Sequence, residues 1–257
     1  DGLTSEHLQH SHPILPCILS KLFNLMLMCS YVPAQFGYSY TIPLSKIKEC
    51  RTKSMKTDDF RGIAISCVLS KVFEYCIFDR FKEFLLTADN QFGFKKGIGC
   101  NHAIYTARKI IEQLITEGST VNLCAIDLRK AYDRTNHHAL FLKLMKRNLP
   151  SELLFTLEFW LSNCWTCVRW GSSVSDFFKI GFGVRQGSVV SPFLFAVYIN
   201  DIIDSYLPSQ KCHVILYADD ILLISPSVCE LQNAVAKCEV ELNWLDMPIN
   251  ARKCCCL

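Results

Sequence analysis

Two apolar runs flank a pair of aspartates in residues 213–225, HVILYADDILLIS. Each run has the length and composition of a strand, so the segment predicts a hairpin with Asp219 and Asp220 at its tip. Hairpin tips usually contain Gly or Asn, and two adjacent carboxylates repel each other unless a cation neutralises them. Taken alone, the pair is more typical of an ordinary exposed Asp-Asp turn, and a cation site at the end of a sheet is the alternative.

A third acidic residue is predicted at the end of another strand. Residues 121–128, VNLCAIDL, are typical of a mostly buried strand, with Asp127 near its end. A strand-end carboxylate and a carboxylate hairpin can together supply oxygen ligands to two hard cations. Two Mg²⁺ ions about 4 Å apart stabilise the attacking and leaving oxygens of phosphoryl transfer. The nearby Asp133 is interpreted instead as a cap or anchor for the segment that follows it.

Two further segments give weaker indications. The turn at residues 183–187, GVRQG, opens a predicted helix, and its glycines allow the backbone to approach a ligand or base closely. A basic loop covers residues 46–59 and is compatible with a position facing phosphate groups. Taken alone, each of these segments is also typical of a plain, solvated loop.

Composition narrows the class of protein. The chain has 257 residues, 50% hydrophobic and 20% charged, which excludes a disordered or low-complexity chain. Its net charge of +3 permits a nucleic-acid partner without requiring one. The 15 cysteines are odd in number and scattered, which favours buried free thiols in a reducing compartment over a disulfide framework. Cys17, Cys29, Cys67 and Cys76, for example, lie in apolar stretches.

Periodicity predicts an α+β layout, a small sheet with helices packed around it. The predicted helices are 14–30, 66–86, 102–117, 137–147, 151–162, 188–206 and 229–245. The predicted strands are 37–45, 121–128, 164–170, 177–182, 213–217 and 221–225. The sequence has neither a signal peptide nor an apolar run of membrane-spanning length. It reads as a segment of a longer protein.

Together these segments resemble the reverse transcriptases of non-LTR (LINE-type) retrotransposons, in the order of that family's motifs. AIDLRKAYDRTNH resembles motif A, GVRQGSVVSPFLFAVYIND motif B, YADD motif C and NARKC motif D. Upstream, DDFRGIAISCVLSKVFE resembles the fingers motif, and QFGFKKGIGCNHAI the segment between fingers and palm. The fingers motif has Arg-Gly where many relatives have Arg-Pro.

The resemblance implies a catalytic set. Asp127, Asp219 and Asp220 match the acids that bind two Mg²⁺ ions, for which Mn²⁺ can substitute. Of the adjacent pair, Asp219 is expected to lie across the sheet from Asp127 as the shared ligand, and Asp220 to reach the metals from the side. Lys253 matches the motif D lysine proposed to protonate the departing pyrophosphate.

It also implies a nucleotide-binding set. Arg61 matches the fingers arginine on the incoming triphosphate, and Lys46 is a weaker match to a lysine near the γ-phosphate. Tyr132 matches the aromatic gate at the sugar 2′ position. Gln186 and Gly187 match the motif B turn beneath the templating base.

The fold implied is a right-hand polymerase of the α+β class, with helical fingers, a ferredoxin-like antiparallel palm sheet and no thumb in this chain. Residues 1–40 correspond to an N-terminal extension, 41–120 to the fingers and 121–257 to the palm, with fingers and palm interleaved. The implied activity is RNA-directed DNA polymerisation by nucleotidyl transfer. The implied partners are an RNA template, a DNA primer and dNTPs, without a membrane, in the cytoplasm or nucleus.

Three alternatives stay open at the level of sequence. One is a polymerase of the group II intron maturase type. Another is a viral RNA-dependent RNA polymerase, which Tyr132 and the Tyr217-Ala218 pair argue against, since the viral enzymes usually have Gly-Asp-Asp. A third is an inactive, domesticated copy that only binds nucleic acid, although all three acids are intact. The sequence does not define the oligomeric state.

Overall fold

The computed structural model describes residues 2–46, 55–204 and 212–257, so Lys48, Arg51 and Lys53 of the predicted basic loop lie outside the described residues. The helices are α1 (Ser5–Gln9), α2 (Leu15–Met28), α3 (Ala34–Gly37), α4 (Val68–Phe81), α5 (Cys100–Thr116), α6 (His137–Lys146), α7 (Ser151–Ser162), α8 (Ser191–Ile199), α9 (Asp201–Asp204) and α10 (Val228–Trp244). The strands are β1 (Tyr38–Ser45), β2 (Phe60–Ser66), β3 (Asn122–Ile126), β4 (Trp165–Trp170), β5 (Ser173–Val174), β6 (Phe178–Lys179), β7 (His213–Tyr217), β8 (Asp220–Ser225) and β9 (Cys255–Cys256). Short 3₁₀ turns cover Thr57–Asp59, Lys82–Leu85 and Tyr132–Arg134.

The chain divides into two compact units, each made of two separate stretches. The first unit comprises Asp1–Phe84 and Leu144–Ser191, and the second comprises Leu85–Lys143 and Pro192–Leu257. The domain boundaries expected from the motifs, after residues 40 and 120, follow a different criterion and stay a prediction.

The first unit contains a mixed sheet in the order β2-β1-β4-β5, with β6 also paired to β4. β1 runs antiparallel to β2 and parallel to β4. An aromatic cluster fills the core beside this sheet. Phe73 is fully buried, with its ring centroid 5.0 Å from that of Phe23 and 5.6 Å from that of Trp160. The indole N–H of Trp160 donates to the Phe36 carbonyl at 3.1 Å, so the polar atom of this buried ring is satisfied.

The second unit contains a sheet in the order β7-β8-β3-β9, antiparallel at every junction. The antiparallel palm sheet predicted from the sequence is therefore confirmed. Helix α5 packs on β7 and β8, where Ala103 and Leu114 meet Ile215 and Ile224. Helix α10 packs on β8 and β3.

The predicted helix 188–206 starts later and is broken in the structure, and its residues 205 and 206 lie outside the described part of the chain. Helix α8 begins at Ser191, and the backbone N–H groups of Val189 and Val190 just before it donate to the Glu74 side chain. At the other end, Asn200 separates α8 from α9, and its side-chain oxygen accepts from the Ala88 N–H at 2.8 Å. Periodicity alone detects neither of these side-chain contacts.

The cysteines of the described residues are free thiols, as expected. The expectation of burial was wrong for Cys17, Cys29 and Cys76, which are exposed, while Cys67 is half-buried. The reason is that α2 and α4 turn apolar residues outward as well as inward, so an apolar neighbourhood in sequence does not imply burial. Among the described residues, no helix is both long and apolar enough to cross a membrane.

Candidate active site

Asp127 and Asp220 lie at the same end of the second unit's sheet. Asp127 follows β3 directly, and Asp220 is the first residue of β8. The antiparallel register pairs Ile126 with Ile221, so one further step along the same register brings Asp127 opposite Asp220. Directly opposed residues point to the same face of a sheet. The cross-strand neighbour of Asp127 is thus Asp220, where the sequence predicted Asp219.

Asp127 is held by the segment that resembles motif D. Its Oδ2 accepts from the Asn250 side-chain amide at 2.8 Å, and its backbone carbonyl accepts from the Asn250 N–H, also at 2.8 Å. Lys253 Nζ lies 3.5 Å from the same Oδ2. The Asp127 N–H donates to Cys254 Sγ at 3.5 Å. These contacts fix both the backbone and the carboxylate of Asp127.

The hairpin turn is one residue shorter than predicted, because the predicted strands leave residues 218–220 between them. Tyr217 pairs with Asp220, which leaves Ala218 and Asp219 as the turn. Ala218 has a φ of 54°, in the left-handed region that favours glycine. The fully buried Gln91 supports this turn, because its Oε1 accepts from the Ala218 N–H at 3.2 Å and from the Gly93 N–H at 2.8 Å. A Cβ on Gly93 would lie 2.5 Å from the Ala218 nitrogen, so only glycine fits there.

The negative charges of this site act on one another. The pKa of Asp220 is raised, first because its surroundings partly exclude water and then because of the charges of Asp219 and Asp127. Lys253 acts in the opposite direction. Asp127, Asp220 and Lys253 line one cavity of about 840 Å³ between α5 and the sheet. The carboxylates therefore face a space large enough for a ligand.

The chemistry of these residues fits a divalent cation. Carboxylate oxygens are the ligands that Mg²⁺ and Mn²⁺ prefer, and mutual repulsion between carboxylates is relieved by a bound cation. Within the described ranges, however, no three His, Cys, Asp or Glu side chains are already arranged to hold a metal ion. Asp127, Asp219 and Asp220 are the residues of this site that could supply such ligands.

Tyr132 is held between two other aromatic rings of the second unit. Its ring stacks on that of the fully buried Phe195, with centroids 4.8 Å apart and an interplanar angle of 18°. Phe94 meets it edge-on, with centroids 6.4 Å apart. Burial, and after it the charge of Asp219, raises the pKa of the Tyr132 hydroxyl. The hydroxyl therefore stays protonated at neutral pH.

The predicted triphosphate ligands belong to the first unit. Arg61 lies on β2, is exposed, and pairs in register with Leu44 of β1. Lys46 follows β1 and is also exposed; its Nζ donates to the Asp58 carbonyl at 2.7 Å and its N–H to the Asp59 carbonyl at 2.8 Å. Both side chains are accessible from solvent.

The predicted motif B turn is fastened to β2. The Ala64 N–H donates to the Gln186 carbonyl at 2.7 Å. Gly187 has a φ of 120°, and a Cβ there would lie 2.4 Å from the Ala64 carbonyl oxygen. Both the conformation and the contact require glycine at this position.

Three anchoring residues were not assigned roles from the sequence: Glu74 in the first unit, and Gln91 and Asn250 in the second. Each is a polar side chain that holds a functional segment through hydrogen bonds. Glu74 and Gln91 are fully buried. The sequence gives no distinct signal for them, because Glu74 is one of several polar residues of α4 and the partners of all three are distant in sequence.

Solved structures of telomerase have a fold similar to that of this chain. The structure of apo telomerase from Candida Tropicalis matches with a TM-score of 0.67 and 12% identity, covering 95% of this chain and 49% of that chain. Telomerase from Candida albicans in complex with a TWJ fragment of telomeric RNA matches with a TM-score of 0.61 and 11% identity, over 92% of this chain and 45% of that chain. The predicted right-hand polymerase fold is confirmed.

Residues 50–257 match the family described as reverse transcriptase (RNA-dependent DNA polymerase), and the chain belongs to this family. It is 28% identical over 220 residues to the probable RNA-directed DNA polymerase from transposon X-element of Drosophila melanogaster, covering 82% of this chain. It is 24% identical over 248 residues to a Pol polyprotein from the type-1 retrotransposable element R2 of Nasonia vitripennis, covering 93% of this chain. The chain spans 24% and 23% of these relatives' lengths. The resemblance to non-LTR retrotransposon reverse transcriptases is confirmed.

Proposed function

We propose that this chain is the fingers-and-palm region of a non-LTR retrotransposon reverse transcriptase, which extends a DNA primer on an RNA template using dNTPs. The observation that carries the proposal is the position of Asp127 and Asp220 on one face of an antiparallel sheet end, beside the Asp219 turn. Family membership and the names of the relatives support it.

In the proposed reaction, the primer 3′-oxygen forms a bond to the α-phosphorus of a dNTP, and the bond from that phosphorus to the pyrophosphate oxygen breaks. Two Mg²⁺ ions, or Mn²⁺ in their place, would lower the pKa of the attacking hydroxyl and neutralise the leaving group when bound. Asp127, Asp219 and Asp220 would hold them. Asn250 keeps the Asp127 carboxylate in a fixed orientation.

Lys253 is proposed to give its proton to the departing pyrophosphate. Its side chain is 68% exposed and its ion pair with Asp127 is 3.5 Å long. A pair of this kind contributes little stability, so the ammonium group is free to turn toward a phosphate oxygen at small cost. Arg61 and Lys46 are proposed to bind the triphosphate, Gln186 and Gly187 the nascent base pair.

Tyr132 is proposed to select the sugar. An aromatic ring placed beside the C2′ atom leaves no room for a ribose hydroxyl. The protonated hydroxyl group of the tyrosine adds a polar group at the edge of this ring. The stacking of this ring on Phe195 supports the proposal, because the tyrosine ring must keep its position when a ribonucleotide enters. The proposed location of the protein is the cytoplasm or the nucleus.

A primer-extension assay tests the proposal. The chain is incubated with a labelled DNA primer annealed to RNA, with dNTPs and Mg²⁺, and the products are sized. Extension on RNA, lost on chelation and restored by Mg²⁺ or Mn²⁺, is expected. Retention of the duplex in a gel shift without any extension would instead identify a nucleic-acid-binding relic.

The same assay separates a reverse transcriptase from an RNA polymerase of the same fold. With NTPs in place of dNTPs, little or no extension is expected. Preferential use of NTPs would contradict the proposal.

A further inference from the structure

Glu74 is a buried carboxylate at the centre of the first unit. It lies on α4 and has no solvent exposure. Burial of a carboxylate costs free energy unless its oxygens accept hydrogen bonds. A carboxylate at this buried position therefore indicates that nearby donors need a hydrogen-bond acceptor, which an apolar side chain would not provide.

The acceptor role of Glu74 is directed at one loop. Its Oε2 accepts from Ser188 Oγ at 2.7 Å, from the Val189 N–H, and from the Val190 N–H at 3.2 Å. The donors follow Gln186 and Gly187 immediately along the chain. One oxygen atom thus anchors the segment between the motif B turn and α8.

The other oxygen of the Glu74 carboxylate takes no part in the hydrogen bonds to the loop. Glu74 Oε1 is buried and has no hydrogen-bond partner among the described residues. An unsatisfied buried oxygen costs about 1–3 kcal/mol. That cost is tolerated because the opposite oxygen holds the loop.

The same stretch of chain also carries Arg61. Strand β2 begins just before Arg61, contacts the motif B turn through Ala64, and leads directly into α4 and Glu74. The Gln186–Gly187 turn is therefore tied to residues 60–74 at two points, Ala64 and Glu74. The distance between Arg61 and this turn therefore depends on two contacts, the backbone hydrogen bond of Ala64 and the hydrogen bonds of Glu74.

We propose that Glu74 is a positioning residue for nucleotide binding. It sets the place of the Gln186–Gly187 turn relative to Arg61, so that one dNTP can meet the triphosphate ligand and the base-side turn together. This inference rests on the proposed polymerase function. Because Glu74 acts on residues that bind the nucleotide and not on the reacting carboxylates, its loss should weaken dNTP binding more than the chemical step.

The test uses graded variants of the full chain. Glu74→Gln keeps an oxygen that can face the loop, whereas Glu74→Leu keeps the approximate volume and removes every acceptor. The KM for dNTP is expected to rise about tenfold in Glu74→Gln and more in Glu74→Leu, as for loss of charge-assisted hydrogen bonds. The kcat should stay within about threefold, less than the cost of one neutral hydrogen bond. The matched control is Glu83→Gln, an exposed glutamate close to α4, which should change neither constant.

A milder substitution keeps the inference testable if Glu74→Leu does not fold. Ser188→Ala removes only one donor and should raise the KM less than Glu74→Gln does. In the double variant Glu74→Leu/Ser188→Ala, the serine substitution should add nothing further, because its partner is already gone. Additive effects, a fall in kcat at unchanged KM, or an unchanged KM in a folded Glu74→Gln would each overturn the inference.

Failure of the proposed function is distinguishable from failure of this inference. If the wild-type chain extends no primer, equilibrium binding of dGTP with Mg²⁺ replaces the KM. Amide hydrogen exchange at Val189 and Val190 provides a readout independent of any ligand. Faster exchange there in Glu74→Gln, but not in Glu83→Gln, is expected, and unchanged exchange would overturn the positioning role.

Discussion

The side-chain amide of Asn250 donates to the Asp127 carboxylate at 2.8 Å, although 123 residues separate the two in sequence. The backbone repeats the contact, since the Asn250 N–H donates to the Asp127 carbonyl at the same distance. The N–H of Lys253 in turn donates to the Asn250 carbonyl at 2.9 Å. Asn250 therefore joins the acid of motif A to the proposed general acid of motif D.

Replacing Asn250 by Ala should lower kcat by about tenfold, the effect of one hydrogen bond to a charged group. The backbone bond survives the substitution, so Asp127 should stay near its place while its carboxylate turns more freely. Single-turnover extension measures the change. Asn243→Ala, an exposed asparagine on α10, is the matched control, and equal losses in the two variants would show that the contact has no role in catalysis.

The three acids should differ in what their loss costs. Asp127→Asn and Asp219→Asn keep the shape of the side chain but remove a charge from the proposed cation site. We expect a loss of several kcal/mol of transition-state stabilisation, at tenfold in rate for about each 1.36 kcal/mol, which abolishes detectable extension. Asp220→Asn should be severe but measurable, because the resemblance to motif C, unlike the strand register, makes the first acid of the pair the indispensable one.

The control for the acids is Asp176→Asn, an exposed aspartate of the first unit, which should extend primers normally. Circular dichroism should show that every variant folds. Normal extension by a folded Asp219→Asn protein would refute the two-metal assignment.

Tyr132→Ala should increase ribonucleotide use relative to deoxyribonucleotide use by at least about tenfold, because removing the ring opens space for a 2′-hydroxyl. The ratio of kcat/KM for an NTP and its dNTP measures this. Unchanged selectivity with polymerisation intact would place the gate elsewhere.

Substitution of Phe195, whose ring stacks on that of Tyr132, extends that experiment. An aromatic pair contributes about 0.5–1.5 kcal/mol beyond its buried area, so Phe195→Leu should relax sugar selectivity to a smaller extent than Tyr132→Ala. Phe193→Leu on the same helix serves as the comparison. In a Tyr132→Ala background, Phe195→Leu should have no further effect on selectivity.

In the metal-free protein, the contribution of Asp220 to the free energy of unfolding should fall as pH rises above the unfolded pKa of aspartate. The folded pKa of Asp220 is raised by partial exclusion of water and by Asp219 and Asp127, so the folded state binds this proton more tightly than the unfolded chain, whose value is about 3.9. The folded state is favoured at low pH, and this contribution is lost as pH rises from that value through the folded pKa.

Asp220→Asn should therefore be more stable than wild type at neutral pH, by no more than about 1 kcal/mol because the side chain keeps contact with solvent. Urea unfolding with a chelator present, at several pH values between about 4 and 7, measures the difference. A variant that is less stable than wild type throughout would show that the repulsion is not significant. Saturating Mg²⁺ should reverse the order of stability.

Much of this site was accessible from sequence because its chemistry is local. The acids at 127, 219 and 220 stand at the ends of apolar runs, and the length and apolar composition of those runs located both strands of the hairpin. The sequence assigned the wrong cross-strand partner to Asp127, because register depends on which residues pair and a shift of one residue exchanges Asp219 for Asp220. The roles of Glu74, Gln91 and Asn250 were not predicted for a related reason, since their hydrogen-bond partners come close to them only in the tertiary fold.

The pairing of β3 with β8 and β9 has a consequence for biosynthesis. Strand β3 is translated well before both of its neighbours in the sheet, β8 and β9, which follow it in the chain. During that interval both of its edges are open, and open edges invite pairing with other chains. The nascent polypeptide should therefore depend on chaperones until Cys256 emerges, and slow translation of this region should increase aggregation.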